Sequence, residues 1–292
     1  MFKLGSSVFS VAIRPALLIA CLPFLTGLRA VILLAQETPL QTEEQRQARD
    51  ALNKGVQDFK NGQYDSAIAA FQRAKELNAR LINARLYLAT AYAAQYIPGA
   101  PSEQNRNLGE HAIDEFKDVL AIDPQNISAI DGVGALIFQM AGTPYDAEKF
   151  QESKSYHQKH IGLQPNDPEP YYWVGVIDWT LSFRANNELR ARHNQEHTAH
   201  QIMDTEPLPP DAREDYVREY DGVIDEGIDS LKHAIELKPD YDDAMAYLNL
   251  MYRRKADTVT YQNERDELLK VADDLMDKVK EIKQKRSEPR PQ

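Results

Sequence analysis

One eight-residue phrase returns four times along this 292-residue chain and limits what it can fold into. It reads AKELNARL from Ala74, VLAIDPQN from Val119, HIGLQPND from His160 and AIELKPDY from Ala234. Each copy closes a stretch whose apolar residues recur every three or four positions, the spacing of one helix face. Pro124, Pro165 and Pro239 stop three of the four, because proline has no N–H to continue a helix and its ring clashes with the turn before it. A new helical pattern follows each stop. No segment alternates apolar and polar residues as a half-buried strand must, so the punctuation predicts an all-α chain of successive helix pairs.

The most complete unit is GQYDSAIAAFQRAKELN with Gly55 upstream. It resembles a tetratricopeptide repeat, a pair of helices spanning about 34 residues. Gly55 matches the small residue of the first helix, Ala67 and Ala74 the two small residues of the second, and Phe71 the large residue between them. Ala79 stands where that family usually has its terminal proline. Small residues let two helices approach and the large one fills the space between them, so this spacing serves packing rather than catalysis. A second unit offers Leu88, Ala89 and Tyr92, then Ala112, Phe116 and Val119. The third has Val133, Gly134 and Ile137, then Tyr156 and His160, with Glu152 where a small residue is expected. Val174 and Gly175 followed by Gly227, Leu231 and Ala234 mark the fourth, and Leu248 and Tyr252 open a fifth.

The resemblance implies a solenoid of about five helix-turn-helix units over 49–286. The repeats fall at about 48–81, 82–126, 127–167, 168–241 and 242–286, behind a polar linker at 36–48 and ahead of a disordered tail at 287–292. Ala79, Pro124, Pro165 and Pro239 lie 45, 41 and 74 residues apart, which exceeds the family period by 11, 7 and 40. Insertions are tolerated at the turn inside a unit, so the extra residues are expected around YIPGAPSEQNRN, around AGTPYDAEKF and over 181–222. From Glu264 to Ile282, Leu268, Ala272, Leu275, Val279 and Ile282 form one apolar stripe, the pattern of a helix that caps the end of a stack.

Residues 1–35 are compositionally different. Lys3, Arg14 and Arg29 are their only charges, an apolar run extends from Pro15 to Leu28, and VILLA leads to Ala35 before Gln36. This reads as an export signal cleaved near Gln36, placing the protein in the periplasm or envelope. Two alternatives stay open: residues 15–35 retained as a membrane anchor, or lipidation at Cys21, since Leu18-Ile19-Ala20-Cys21 resembles the bacterial lipobox. Cys21 is the only cysteine, so a chain beginning after it has no disulfide to support its core. Loss of the three N-terminal cations takes the formal charge from −11 to −14, which argues against nucleic acid as a partner.

HNQEHTAH, His193 to His200, spells H-x-x-E-H, the zinc-ligand order of one metallopeptidase class, with Glu196 as the acid. On a helix from about Asn187 to Met203, His193, His197 and His200 share a stripe about 60° wide and could in principle hold a metal. Those peptidases also need a third ligand from another helix, an activated water and a mixed α/β cleft, and this chain shows no such domain. The preferred reading is a polar insertion helix without catalytic role. No phosphate loop, dinucleotide fingerprint or nucleophile elbow occurs, and no cofactor is implied.

The resemblance implies a concave groove that takes a segment of another protein. Its groove positions fall on Val56, Phe59, Lys60, Leu86, Thr90, Asp131, Phe138, Gln139, Tyr172, Val176, Trp179, Leu250, Arg253 and Arg254. This set is apolar and aromatic with a basic end, which favours an apolar or aromatic segment as ligand. Phe59 and Trp179 follow Asp58 and Asp178, which sit where a core aromatic is expected, so both rings are equally candidates for core duty. The functional expectation is a non-enzymatic envelope scaffold or adaptor, with an assembly lipoprotein resembling secretin pilotins, or a zinc hydrolase, as alternatives.

Overall fold

The computed structural model describes residues 42–288. The export signal or anchor at 1–35, Cys21, the start of the linker and most of the C-terminal tail lie outside the described residues.

Ten α-helices follow one another without a β-strand among the described residues: α1 (Glu43–Lys60), α2 (Tyr64–Leu77), α3 (Ile82–Gln95), α4 (Glu103–Ile122), α5 (Ile127–Ala141), α6 (Ala147–Leu163), α7 (Pro168–Glu196), α8 (Pro210–Leu237), α9 (Asp242–Lys255) and α10 (Gln262–Ser287). They pack as the pairs α1/α2, α3/α4, α5/α6, α7/α8 and α9/α10, each pair resting on the next. First helices also meet across units, α1 on α3, α3 on α5 and α7 on α9. The repeated phrase sets the ends: α4, α6 and α8 stop two residues before Pro124, Pro165 and Pro239, and α2 stops at the same distance from Ala79. Side-chain oxygens of Thr42, Ser102, Asn126, Asp146 and Asp167 accept first-turn N–H groups, which would otherwise have no helical partner.

The small residues of the repeat do what the spacing requires. A Cβ on Gly55 would meet the Phe71 ring at 2.5 Å, and one on Gly175 would overlap Leu231. Phe71 is fully buried among Ala67, Leu88 and Ala91, and burial of such a ring contributes about 1.5–3 kcal/mol. Further apolar clusters follow in series, one around Phe116, Val133 and Ile137 and another around Tyr216, Leu231, Leu248 and Met251. This serial core is how thin units shelter apolar faces that none could bury alone.

Four expectations need correction. The polar linker does not reach residue 48: Thr42 and Gln45 form a reciprocal capping box and α1 begins at Glu43. In the third unit the register is one residue off, since Ser153 and His157 are buried at the small and large positions whereas Glu152 is exposed and pairs with Lys117. The long insertion is mostly helix rather than turn, because it extends α7 to 29 residues and α8 to 28, leaving 197–209 as the connection. Finally, α10 continues through Ser287, so the tail begins later than expected.

Candidate functional site

The first helices of the last two units carry a continuous run of aromatic rings. On α7, Tyr172 meets Tyr247 of α9 edge-on with centroids 5.7 Å apart, and Trp179 meets the same Tyr247 at 5.4 Å. Phe183, one turn beyond Trp179, stacks on it at 4.9 Å, and the Arg254 guanidinium lies 5.7 Å from the Phe183 centroid. In the other direction Tyr172 touches Trp173 at 5.5 Å, Trp173 touches Phe138 of α5 at 5.4 Å, and Phe138 touches Phe150 of α6 at 5.3 Å. Edge-on and offset geometries are those that aromatic quadrupoles favour. Tyr172, Trp179 and Tyr247 are half-buried while Phe183 keeps 38% of its surface exposed, so the band is packed at its root and open at its edge. Burial raises the phenol pKa of Tyr172 and Tyr247.

The expected groove residues divide into three groups. Tyr172, Trp179, Phe138 and Arg254 belong to this band, and Thr90, Lys60, Gln139 and Leu250 keep part of their surface exposed. Val56 and Phe59 instead pack on the N-terminal core, Phe59 lying edge-on to Tyr64 at 5.3 Å, and Leu86 packs on the second cluster. Val176 is 3% exposed and faces the core, not a partner. The expected basic end is internally neutralised: Arg253 bonds Asp273 at 2.6 Å and Arg254 lies 3.4 Å from Asp257. Asp131 is likewise engaged, 2.7 Å from His160 Nδ1.

The two aspartates at core positions have partners the sequence did not reveal. Asp58 accepts from Lys54 and from the Ser66 hydroxyl, each at 2.6 Å. Asp178 is fully buried and accepts from Lys154 of α6 at 2.7 Å, while Lys154 also bonds Glu226 of α8 at 2.9 Å. Burial pushes the Asp178 carboxyl up to about 7 against the pull of Lys154. Beside them His157 is buried against Trp173, and burial drives its imidazole down to about 4, so it is neutral.

The histidine stripe is not formed. Helix α7 ends at Glu196, His197 is its C-cap with non-helical dihedrals, and His200 lies in the turn beyond. His193 and His197 stack at 4.2 Å, but no set of three or more His, Cys, Asp or Glu side chains among the described residues is placed to hold a metal. A buried cluster ties this region down instead. Asp257 accepts from Arg190 at 3.2 Å and Arg265 at 2.8 Å, and these arginines also donate to the backbone carbonyls of Met203 and Thr205. The helix breaks here because Asn194 bonds both the N–H and the carbonyl of Ile202, folding the chain back eight residues on.

No family model matches the sequence, and no curated protein sequence is significantly similar to it. Solved structures do resemble the fold. The crystal structure of the MamA protein matches 84% of this chain and 99% of its own, with a TM-score of 0.54 at 16% identity. MamA residues 41 to the end from Desulfovibrio magneticus RS-1 match 83% of this chain and 98% of their own, with a TM-score of 0.54 at 15% identity. MamA is a tetratricopeptide-repeat protein. The fold of this chain is the tetratricopeptide-repeat fold. At these identities the likeness concerns the path of the helices and not the residues of any site. Within the tetratricopeptide framework, Phe183, Tyr247 and Trp173 are the site residues that sequence reasoning missed. Phe183 was detectable as the residue four places after Trp179, on the same helix face, once α7 is known to continue through the insertion.

Proposed function

We propose that this protein is a non-enzymatic interaction scaffold that holds a segment of another protein against the first-helix face of its tetratricopeptide units. The observation that carries the reading is the half-open aromatic band from Phe138 through Tyr172 and Trp179 to Phe183. Aromatic side chains supply large contact area with only two rotors to immobilise, which is why they anchor interfaces. With Arg253 and Arg254 bound internally, an apolar or aromatic partner segment suits the face better than an acidic one. Exchange of Phe183, the most exposed ring of the band, for aspartate tests this without disturbing the core. Affinity capture with wild type and with Phe183→Asp, extended by the Tyr172→Ala, Phe138→Ala double variant, is expected to lose a shared set of proteins; identical capture would contradict the groove.

The proposed location is the cell envelope. It rests on the pattern of Lys3, Arg14 and the apolar run to Ala35 in the sequence, since no helix among the described residues is long and apolar enough to cross a membrane. Mass spectrometry of the natural N-terminus distinguishes a start at Gln36 from an acylated Cys21 or a retained anchor. A start at an acylated Cys21 or an uncleaved N-terminus contradicts simple secretion.

A further inference from the structure

A second recess lies between the two shorter insertions, and none of its lining residues belongs to the aromatic band. The connection from α3 to α4 forms one wall, the connection from α5 to α6 the other, and the cavity between them measures about 480 Å3. That volume is in the usual range for a ligand site.

The recess is built rather than incidental. Asn105, 7% exposed, accepts from the Ile97 N–H at 2.7 Å and donates to the carbonyls of Ile97 at 2.8 Å and Ala100 at 3.2 Å, so one wall is fixed to α4. The opposite wall is closed on itself by the Gly142 to Tyr145 bridge and by Asp146 N–H donating to Ala141 at 2.9 Å. The floor is Tyr96 and Met140, which settle over Gly109: a Cβ there would meet Met140 Sδ at 2.9 Å and the Tyr96 ring at 3.2 Å. The cavity continues, through Glu110, Met140 and Lys149, into a recess of about 180 Å3 lined by Ile113 and Ile137. The whole is an elongated slot with an apolar floor.

Two of its cations are uncommitted, while Lys117 and Glu152 at its inner end pair with each other at 3.3 Å. Within the described residues the side chains of Arg106 and Lys149 make no hydrogen bond or ion pair, and Glu110 is the one carboxylate in the wider cavity. The slot is lined by three cations, Arg106, Lys117 and Lys149, against two acids, Glu110 and Glu152, a local excess of positive charge in a chain with 45 acids against 34 bases. We propose that this slot binds an extended peptide segment of a second protein. The segment's apolar side chains would lie on Tyr96, Met140 and Ile137, and a carboxylate would meet Arg106 and Lys149. The elongated apolar floor favours a peptide over a free anion, and the pair of cations selects an acidic one. The protein would then hold two partners, an apolar segment on the aromatic band and an acidic one in the slot.

A displayed library of random heptapeptides, selected on the full chain, tests this. The enriched peptides are expected to carry Asp or Glu beside aliphatic or aromatic residues and to bind the Arg106→Glu, Lys149→Glu variant at least about tenfold more weakly. Binding to Phe183→Asp should be unchanged. Both cations are exposed, so the variant's thermal melt should match wild type, and the milder Arg106→Gln, Lys149→Gln pair serves if it does not. Failure to enrich any acidic peptide, or equal binding to the charge-reversed variant, would overturn the proposal. Peptides lost with Phe183→Asp alone would overturn it while leaving the aromatic band in place.

Discussion

At the scale of single residues, Asp178 and His157 show how this repeat departs from an apolar core and what that costs. Replacing Lys154 with methionine removes the charge partner of Asp178, whose carboxyl then takes up a proton and stays buried without its hydrogen bond, which should destabilise the fold by about 1–3 kcal/mol. Adding Asp178→Leu should restore most of that loss, and chemical denaturation of the single and double variants checks both values. His157 gives a pH dependence of defined sign. Its pKa in the folded protein is lowered from 6.5 to about 4, so the unfolded chain binds the proton more readily and stability falls as pH drops through that window. Between pH 7 and 5 wild type should lose about 2 kcal/mol more than His157→Phe, measured by urea unfolding. Asp178 works in the opposite sense, since its raised carboxyl pKa adds stability as pH falls from about 7 toward its ordinary value. The comparison with His157→Phe cancels that contribution. Neither partnership was legible in the sequence: Asp178 stood out as an acid at a core position, but Lys154 lies 24 residues away on another helix, and only the packing of α6 on α7 brings them together.

At the scale of elements, the repeat signature was read correctly where it depends on helix contact and misread where it depends on helix length. Pro124, Pro165 and Pro239 marked the helix ends because proline cannot continue a helix, whatever its neighbours. The insertion 181–222 contains no proline before Pro207, and α7 therefore runs on until Asn194 captures the backbone of Ile202. A side-chain-to-backbone stop of that kind has no fixed sequence spacing, so the helix expected to reach Met203 ends at Glu196 and carries only His193 of the three histidines. Two predictions belong at this scale. Gly55→Ala should force the Phe71 ring aside and destabilise by about 1–3 kcal/mol, read from the urea midpoint at constant slope. Arg265→Ala should release the Thr205 carbonyl and uncover Asp257, raising amide hydrogen exchange in 197–209 and at the end of α7 while α1 to α6 keep their protection.

At the scale of the whole molecule, the described residues form five helix pairs whose apolar faces are sheltered by neighbours, with the longest pair carrying the aromatic band at its edge. On the first-helix face Phe183 and Thr90 are exposed where Val176 is not. The most direct measurement is site-specific photo-crosslinking, in the native host, from a benzophenone amino acid placed at Phe183, at Thr90 and, as a control, at the exposed Val271 of α10. Adducts to a common protein from Phe183 and Thr90, and none from Val271, are the predicted result. The same adducts from Val271 alone, or equally from all three positions, would contradict a partner held on the first-helix face.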